Sequence, residues 1–267
     1  MTSSFREAEL VGWSTRSLSY DQQLAPITSQ VASSILASLN PLARARVLDV
    51  CCGPGHLSGS LADAGAEVEG LDFAPSMVER ARLNYPQLAF RQGDAEALPY
   101  EDCCFDRAAC AFGVMHLSRP DVAFTEAFRV LRPRGRYVFT QWARDDELLS
   151  IVLSAITEHG EAPVNIPEAP PPMRFSDPLE CHQALMAVGF AEIGDQRVET
   201  TWTSDKPEAL LDLVYGGAVR AAMVLEAQDP RRRARIHEAI VDAARARISG
   251  KVVVIKRPVV MAWGVKP

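Results

Sequence analysis

The chain has 267 residues, with 28 basic residues against 34 acidic ones and a formal net charge of −6 at neutral pH. That length suits one large α/β domain, or one domain with a lid, and the acid excess leaves no strongly basic surface for nucleic acid or an anionic membrane. The first residues hold no apolar leader segment and no run of 18 apolar residues occurs, so the expectation is a soluble cytoplasmic protein that does not enter a membrane.

Taken in chain order, apolar positions between Ser17 and Leu39 (Leu24, Ile27, Val31, Ile35, Leu36) recur at helical spacing, with Pro26 at a kink or a start. This predicts a helix covering the mouth of a site. Trp13 and Tyr20 are candidates to line a substrate pocket from this end, with cofactor contact and ordinary packing equally open to them. Short apolar runs then alternate with helical stretches: strands at 46–51, 67–71, 88–91, 107–111 and 136–141, and helices beginning near Leu57, Pro75 and Asp121. Strands separated by helices of this length predict a parallel sheet with right-handed crossovers.

After Trp142 the rhythm changes. Asp145-Asp146-Glu147 opens a helix to about His159, acids first, as the helix dipole favours. Residues 161–178 hold six prolines and predict a stiff loop over the site. A helix follows from Asp177 to Gly189, then a strand over 190–202, two or three helices over 206–248, and a last strand over 251–265. The expected organisation is N-terminal cap helices over 1–42, a cofactor-binding core over 43–143, and the rest of the sheet over 144–267 with a lid insertion at about 161–178 and 206–248. Six cysteines at 51, 52, 103, 104, 110 and 181 include no Cys-x-x-Cys pair, which fits free thiols in a reducing compartment and gives no zinc-like spacing.

The densest chemical signal is Val47-Leu-Asp-Val-Cys-Cys-Gly-Pro-Gly-His56, with Asp72 closing the next apolar run. A β-branched run that breaks into glycines is how a buried parallel strand turns into a helix, and Gly53 and Gly55 let a ligand lie against the backbone. A carboxylate at the end of the second strand is placed to accept both hydroxyls of a ribose, so a nucleoside-containing cofactor is predicted. The usual dinucleotide loop is a poorer fit. Its third small position is Ser58, and Asp49 beside the loop suits an amino group or a sulfonium better than a pyrophosphate.

From about Ala43 to Ala143 the chain resembles the class I S-adenosylmethionine-dependent methyltransferases, in particular the ubiquinone/menaquinone C-methylase-like branch (methyltransferase type 11). The resemblance is carried by Asp49-Val-Cys-Cys-Gly53-Pro-Gly55, Leu71-Asp-Phe-Ala-Pro-Ser-Met77, Gly93-Asp-Ala-Glu-Ala-Leu-Pro99, Phe105-Asp106 to Phe112-Gly113, and Glu126-Ala-Phe-Arg-Val-Leu-Arg-Pro-Arg-Gly135, in the family's order and spacing. It implies a Rossmann-like, seven-stranded, mostly parallel α/β sheet with helices on both faces. The last two strands would form an antiparallel edge hairpin, and an insertion between them would shape the substrate pocket.

The cofactor implied is S-adenosyl-L-methionine. Asp72 would then anchor the ribose, with Phe73 in the same segment. Asp94 would accept from the adenine amine and Ala95 would offer its N–H to the ring. Met77 would cover one adenine face, and Phe112 and Gly113 would border the methionine moiety. Asp49 would orient water or the cofactor's amino group, or only bond the backbone of the glycine loop. His116, just past the fourth strand, is the candidate base for taking a proton from a hydroxyl, amine or activated carbon, with a structural histidine as the other reading. His56 reads as a loop-packing residue.

Catechol-type enzymes of this fold hold magnesium with an acid at the end of the fourth strand and an Asp-Asn pair after the fifth. Here the fourth strand ends Ala111-Phe112-Gly113 and Asp145-Asp146 lacks that partner, so no metal site is expected. The Asn/Asp-Pro-Pro-aromatic sequence of DNA amino-methylating enzymes is missing after the fourth strand, and Arg231-Arg232-Arg233-Ala234-Arg235 alternates with apolar positions as a solvated helix face does.

The expected function is metal-independent, in-line methyl transfer to a small-molecule acceptor. An apolar or aromatic acceptor is expected from Trp202, Tyr215, Met223 and Leu225 in the lid segments. Two rivals stay open: a protein of this fold whose cofactor is only structural, such as a cyclising or pericyclic catalyst or a ligand-binding module, and an NAD(P)-dependent oxidoreductase. Oligomeric state is not legible.

Overall fold

The computed structural model describes residues 4–161 and 166–267; part of the expected proline-rich loop, 162–165, and the first residues of the expected N-terminal cap lie outside the described residues. In chain order the elements are α1 (Phe5–Gln23), α2 (Ala25–Thr28), α3 (Ala32–Leu39), β1 (Arg46–Val50), α4 (His56–Asp63), β2 (Glu67–Asp72), α5 (Pro75–Asn84), β3 (Ala89–Gln92), β4 (Phe105–Ala111), α6 (Pro120–Val130), β5 (Leu131–Trp142), α7 (Glu147–His159), α8 (Pro178–Val188), β6 (Ala191–Val198), β7 (Thr201–Ser204), α9 (Ala209–Gly217), α10 (Val219–Glu226), α11 (Pro230–Arg245), β8 (Ile248–Ser249), β9 (Val252–Lys256) and β10 (Val259–Val265).

Seven strands form the main sheet in the order β3-β2-β1-β4-β5-β10-β6. β1 to β5 pair in parallel, and β10 pairs antiparallel with both β5 and β6. This is the Rossmann-like sheet the sequence implied, with the antiparallel strands at one edge. Alternate residues of each strand point to opposite faces, and both faces are covered. Leu48, Phe105 and Phe139 pack with Phe124 and Leu185 of α6 and α8 on one side; Val47, Ala109 and Val138 pack with Ile35, Leu39 and Leu61 of α3 and α4 on the other. Burial on two faces is why β1 reads as a near-continuous apolar run. Chain order reverses between β1 and β4, and at such a switch the loops leaving adjacent strands diverge and open a crevice at their carboxyl ends.

Two departures from the sequence expectation bear on function. The N-terminal helix starts at Phe5, not Ser17, and it is a separate element from α2 and α3. Its start is a capping box: the Ser4 hydroxyl accepts from the Glu7 N–H at 3.2 Å and the Glu7 carboxylate accepts from the Ser4 N–H at 2.7 Å. The expected strands over 190–202 and 251–265 each divide into two. β6 and β10 stay in the main sheet, while β7 and β9 pair antiparallel and, with β8, form a second three-stranded sheet.

The ribbon bends at Thr200 and at Arg257-Pro258. The Arg257 N–H still donates to Thr200 O at 2.9 Å, and the Thr200 hydroxyl donates to Arg257 O. Pro258 has no N–H to continue the ladder. The Arg257 side chain turns inward, donates to Asp146 through Nη2 at 2.7 Å, and lies 3.7 Å over the Trp142 ring. No alternation pattern announces such a bend, because the residues on either side keep a strand's period.

Asp146 also caps α7 by accepting from the Leu148 N–H at 3.0 Å, and both members of the ion pair are buried. Asp146→Ala leaves a guanidinium buried without its partner, which costs about 3–5 kcal/mol. Thermal melting should show a fall of roughly 10 °C. The double replacement of Asp146 by Leu and Arg257 by Met should lose far less, because no charge is then left buried alone.

Candidate functional site

The crevice at the switch point is an open-mouthed cleft at the carboxyl ends of the strands, where ligands of such sheets bind. Its floor comes from the carboxyl ends of the strands: Cys51 and Gly53 after β1, Asp72 and Phe73 at β2, and Phe112, Gly113 and His116 after β4. Gly93, Asp94, Ala95 and Glu96 after β3 close one side and Trp142 at the end of β5 closes another. The roof is α1, which contributes Arg6, Trp13 and Tyr20.

Asp72 organises the floor. Its Oδ2 accepts from the Gly53 N–H and its Oδ1 from the Ala74 N–H, both at 2.9 Å, so one carboxylate ties the loop after β1 to the start of α5. Gly53 has φ +51°, and among the described residues, its chain neighbours aside, an added Cβ would meet only a Tyr20 ring carbon, 4.0 Å away. The absent side chain therefore leaves room for a ligand above the backbone. Cys51 and Phe112 hold positive φ of 58° and 57°, a conformation that costs non-glycine residues about 1–3 kcal/mol and that clusters where a backbone must face a ligand. The Phe112 N–H is fixed on Thr140 Oγ1 at 3.0 Å, and its ring lies 4.2 Å from Trp142, centroid to centroid.

Asp49 lies outside this cleft. It faces a smaller recess behind the glycine loop, together with Thr28, Cys52, Pro54 and His56, and accepts from the Ser58 hydroxyl at 2.6 Å. Tyr20, Cys51, Gly53, Ala111 and Phe112 line both cavities, so the recess continues the cleft. Gly55 lines neither. It has φ +88°, and an added Cβ would meet Phe90 at 2.9 Å and Tyr85 at 3.1 Å, so its small size serves packing against β3 and α5. His56 bonds Tyr85 Oη and Asp21 Oδ1.

The sequence-predicted residues Gly53, Asp72, Phe73, Met77, Asp94, Ala95, Phe112, His116, Trp13 and Tyr20 thus meet around one cleft. Trp202, Tyr215, Met223 and Leu225 do not line it. Trp202 and Leu225 are buried in the apolar core of the insertion, Tyr215 bonds His237 at 2.7 Å, and Met223 packs behind Trp13 and Met77. The aromatic lining comes from α1, Phe112 and Trp142 instead.

Sequence reading also missed Glu9. It is 1% exposed, accepts from Trp13 Nε1 at 3.0 Å, and bonds His116 Nδ1 at 2.9 Å. The signal was present: on a helix starting at Phe5, Glu9 falls on the same buried stripe as Phe5, Gly12 and Trp13. Arg6, from the same helix, bonds Asp94 at 2.5 Å.

The electrostatics are those of a cation site. Burial pushes the Asp72 carboxyl up to about 6 and the Asp49 carboxyl up to about 7. Burial also raises Tyr20 to about 12, so its hydroxyl keeps its proton. A cationic ligand in the cleft would return both carboxyls toward the ionised form. The residues therefore fit S-adenosylmethionine: a buried acid beside an open glycine, acids along the lining, and apolar faces from Met77, Phe73 and Ala95. Among the described residues, no group of three or more His, Cys, Asp or Glu side chains is placed to hold a metal ion.

A carboxyl raised by folding keeps its proton longer in the fold than in the unfolded chain, so its contribution to stability is full below its ordinary value of 3.8 and is lost as pH rises toward about 7 for Asp49. Asp49→Asn removes that charge and keeps an oxygen for Ser58. The melting-temperature gap between Asp49→Asn and the unaltered ligand-free protein should widen from pH 4 to pH 8, reaching several degrees, equivalent to roughly 2–4 kcal/mol.

Comparison with known proteins agrees with this geometry. Residues 47–135 match the model of a methyltransferase domain family, and they span β1 to the start of β5, the part that builds the cleft floor. The chain is 30% identical to the demethylmenaquinone methyltransferase of Deinococcus radiodurans over 164 residues, covering 54% of this chain and 67% of that protein. It is 28% identical to a malonyl-[acyl-carrier protein] O-methyltransferase of Enterobacter lignolyticus over 218 residues, covering 73% and 84%. Against the first curated relatives it matches, the chain spans about half of their length or less. Among solved structures it is similar in fold to the YcgJ protein of Bacillus subtilis, with a TM-score of 0.59 and 20% identity, covering 88% of this chain and 97% of that one. A buried acid beside an open glycine, at the switch point of this sheet and within the matched segment, together with these relatives, marks the chain as a member of the class I S-adenosylmethionine-dependent methyltransferases.

Proposed function

We propose that this protein transfers a methyl group from S-adenosyl-L-methionine to a small, largely uncharged acceptor, without a metal ion. The observation that carries the reading is Asp72. It is buried, fixed by two backbone N–H groups, and still turned to the cleft beside a glycine with open space above it. A carboxylate with two of its lone pairs committed to backbone keeps others free for a pair of hydroxyls.

The chemistry the bound cofactor supplies is an electrophilic methyl on a sulfonium, so the protein is asked mainly for alignment, exclusion of water and removal of a proton. Asp72 would accept from the ribose and Asp94 and Ala95 would meet the base. Asp49, in the recess that continues the cleft, is placed for an ammonium group. Met77, Phe73 and Phe112 supply apolar walls. α1 roofs the cleft, and its Trp13 and Tyr20 rings meet edge to face with centroids 5.5 Å apart, shielding the site from water. His116 lines the cleft with one nitrogen engaged by Glu9, and would accept a proton from the acceptor.

The acceptor does not follow from similarity. The relatives are named for two unlike substrates, demethylmenaquinone and malonyl-acyl-carrier protein. The lining of Trp13, Tyr20, Leu24, Phe112, Leu117 and Trp142 supports an apolar or aromatic molecule.

Calorimetric titration of S-adenosylhomocysteine tests the reading. Micromolar binding is expected in the unaltered protein, and Asp72→Ala should weaken it about 100-fold or more, the worth of two charge-assisted hydrogen bonds. S-adenosylmethionine should bind more weakly as pH falls through about 6, where Asp72 takes up its proton. No binding of either compound to the unaltered protein would sink the proposal.

A further inference from the structure

We propose that Glu9 is a positioning residue that fixes His116 with its proton on Nδ1 and a bare Nε2 toward the cleft, and that this commits the site to uncharged acceptors with a proton on the atom to be methylated. The inference rests on the methyltransferase reading and names its substrate class.

The geometry is that of an oriented base. Glu9 is an acid on the buried stripe of an amphipathic helix, where a carboxylate persists only if it is paired. Its two partners are both donors, Trp13 Nε1 at 3.0 Å and His116 Nδ1 at 2.9 Å. Ionised Glu9 can only accept, so the hydrogen of the second bond sits on Nδ1. In the neutral ring Nε2 is then the acceptor nitrogen, and it has no hydrogen-bond partner among the described residues. The Trp13 ring meets the His116 ring edge to face with centroids 4.8 Å apart. Glu9 from α1 bonds His116 directly, and Asp72 at the end of β2 lies close enough to interact with its charge. Both stabilise an imidazolium once the proton has moved. The balance would be complete: the acceptor's X–H bond breaks and its electron pair forms the bond to the methyl carbon, the methyl–sulfur bond breaks with its pair leaving on sulfur as S-adenosylhomocysteine, and the proton ends on Nε2.

The same groups exclude anionic acceptors. The charged side chains lining the cleft are Arg6, Asp72, Asp94 and Glu96; Arg6 is bonded to Asp94 and Glu96 to Arg119, so Asp72 is the acid of the lining that has no basic partner among the described residues. Glu9 adds a further negative charge behind the wall. Arg257 does not offset these, since its charge is met by Asp146. A carboxylate on the acceptor would enter a low-dielectric cleft of its own sign.

Nitrogen-15 NMR of histidine-labelled, ligand-free protein at pH 8 tests the first part. His116 should show a protonated Nδ1 and a bare Nε2; Trp13→Phe should keep that tautomer and Glu9→Gln should mix the two. An Nε2-protonated ring in the unaltered protein, or identical spectra in Glu9→Gln, overturns the role of Glu9.

The acceptor class is tested with the protein saturated with S-adenosylhomocysteine, titrated with 4-butylphenol, 4-butylanisole and 4-butylbenzoate. The phenol should bind about 10-fold more tightly than the ether, whose oxygen has no hydrogen to give Nε2, with the benzoate weakest. His116→Phe should bring the phenol down to the ether. Equal binding of phenol and ether, tightest binding by the benzoate, or no binding of the phenol overturns this part. Failure of S-adenosylhomocysteine to bind counts against the methyltransferase reading itself, while the tautomer of His116 is read without any ligand.

Discussion

One carboxylate holds the site together. Asp72 ends β2 facing the loop that leaves β1, and its two oxygens are occupied by N–H groups from different segments, Gly53 and Ala74. That bridge works with the Cys52 N–H bond to Leu71 O at 3.0 Å and the Asn84 amide bond to Pro54 O at 3.1 Å in holding the glycine loop against β2 and α5. The bridge needs an ionised acid, because a neutral carboxyl offers one good acceptor oxygen and would turn a hydroxyl toward one of the N–H groups. Burial opposes ionisation, which is why the group sits near 6. The fold therefore carries a carboxylate that is costly alone and favourable beside a cation.

The second constraint is the roof. α1 is anchored away from the cleft by Arg16, whose Nε donates to Tyr215 O at 2.9 Å, and by Gly12, where an added Cβ would come within 2.3 Å of Val219. The anchors lie in α9 and α10, inside the insertion between β6 and β10. The insertion thus acts on the site indirectly: it seats the helix that carries Arg6, Glu9, Trp13 and Tyr20. An edge-to-face ring pair and a buried acid then sit over a floor made at the carboxyl ends of the strands. The floor and the roof of the cleft come from different parts of the chain, and the packing of α1 brings them together.

How much of this the sequence disclosed follows from the range of each interaction. Gly53 and Asp72 are legible because a strand, its tight turn and the acid on the next strand form a local pattern with fixed spacing. Asp94, Ala95 and Phe112 follow from the same order of strands. Glu9 was hidden by a helix boundary: with the helix taken to start at Ser17, its Ser4 to Glu7 capping box went unread and Glu9 had no face. The lid aromatics failed for a different reason. Trp202 and Leu225 are apolar because the insertion needs a core of its own, and composition cannot tell that core from a pocket wall. The bend at Thr200 and Arg257 depends on a pairing across 57 residues of chain, which no window of sequence contains.

The sign of the charge in the cleft also decides between cofactors that share this sheet. A pyrophosphate bound at a glycine loop asks for N–H groups and positive charge near the helix start. Here α4 begins beside Asp49, the loop's Gly53 N–H is already given to Asp72, and Arg6 in the cleft lining is bonded to Asp94. An anionic dinucleotide would meet acids at each of these positions. A sulfonium with an ammonium group would meet the same acids as counter-ions and would lower the cost of keeping Asp49 and Asp72 ionised. The glycine loop alone permits either ligand. The buried acids around it favour the cation, and they do so through the same desolvation that raises their pKa values in its absence.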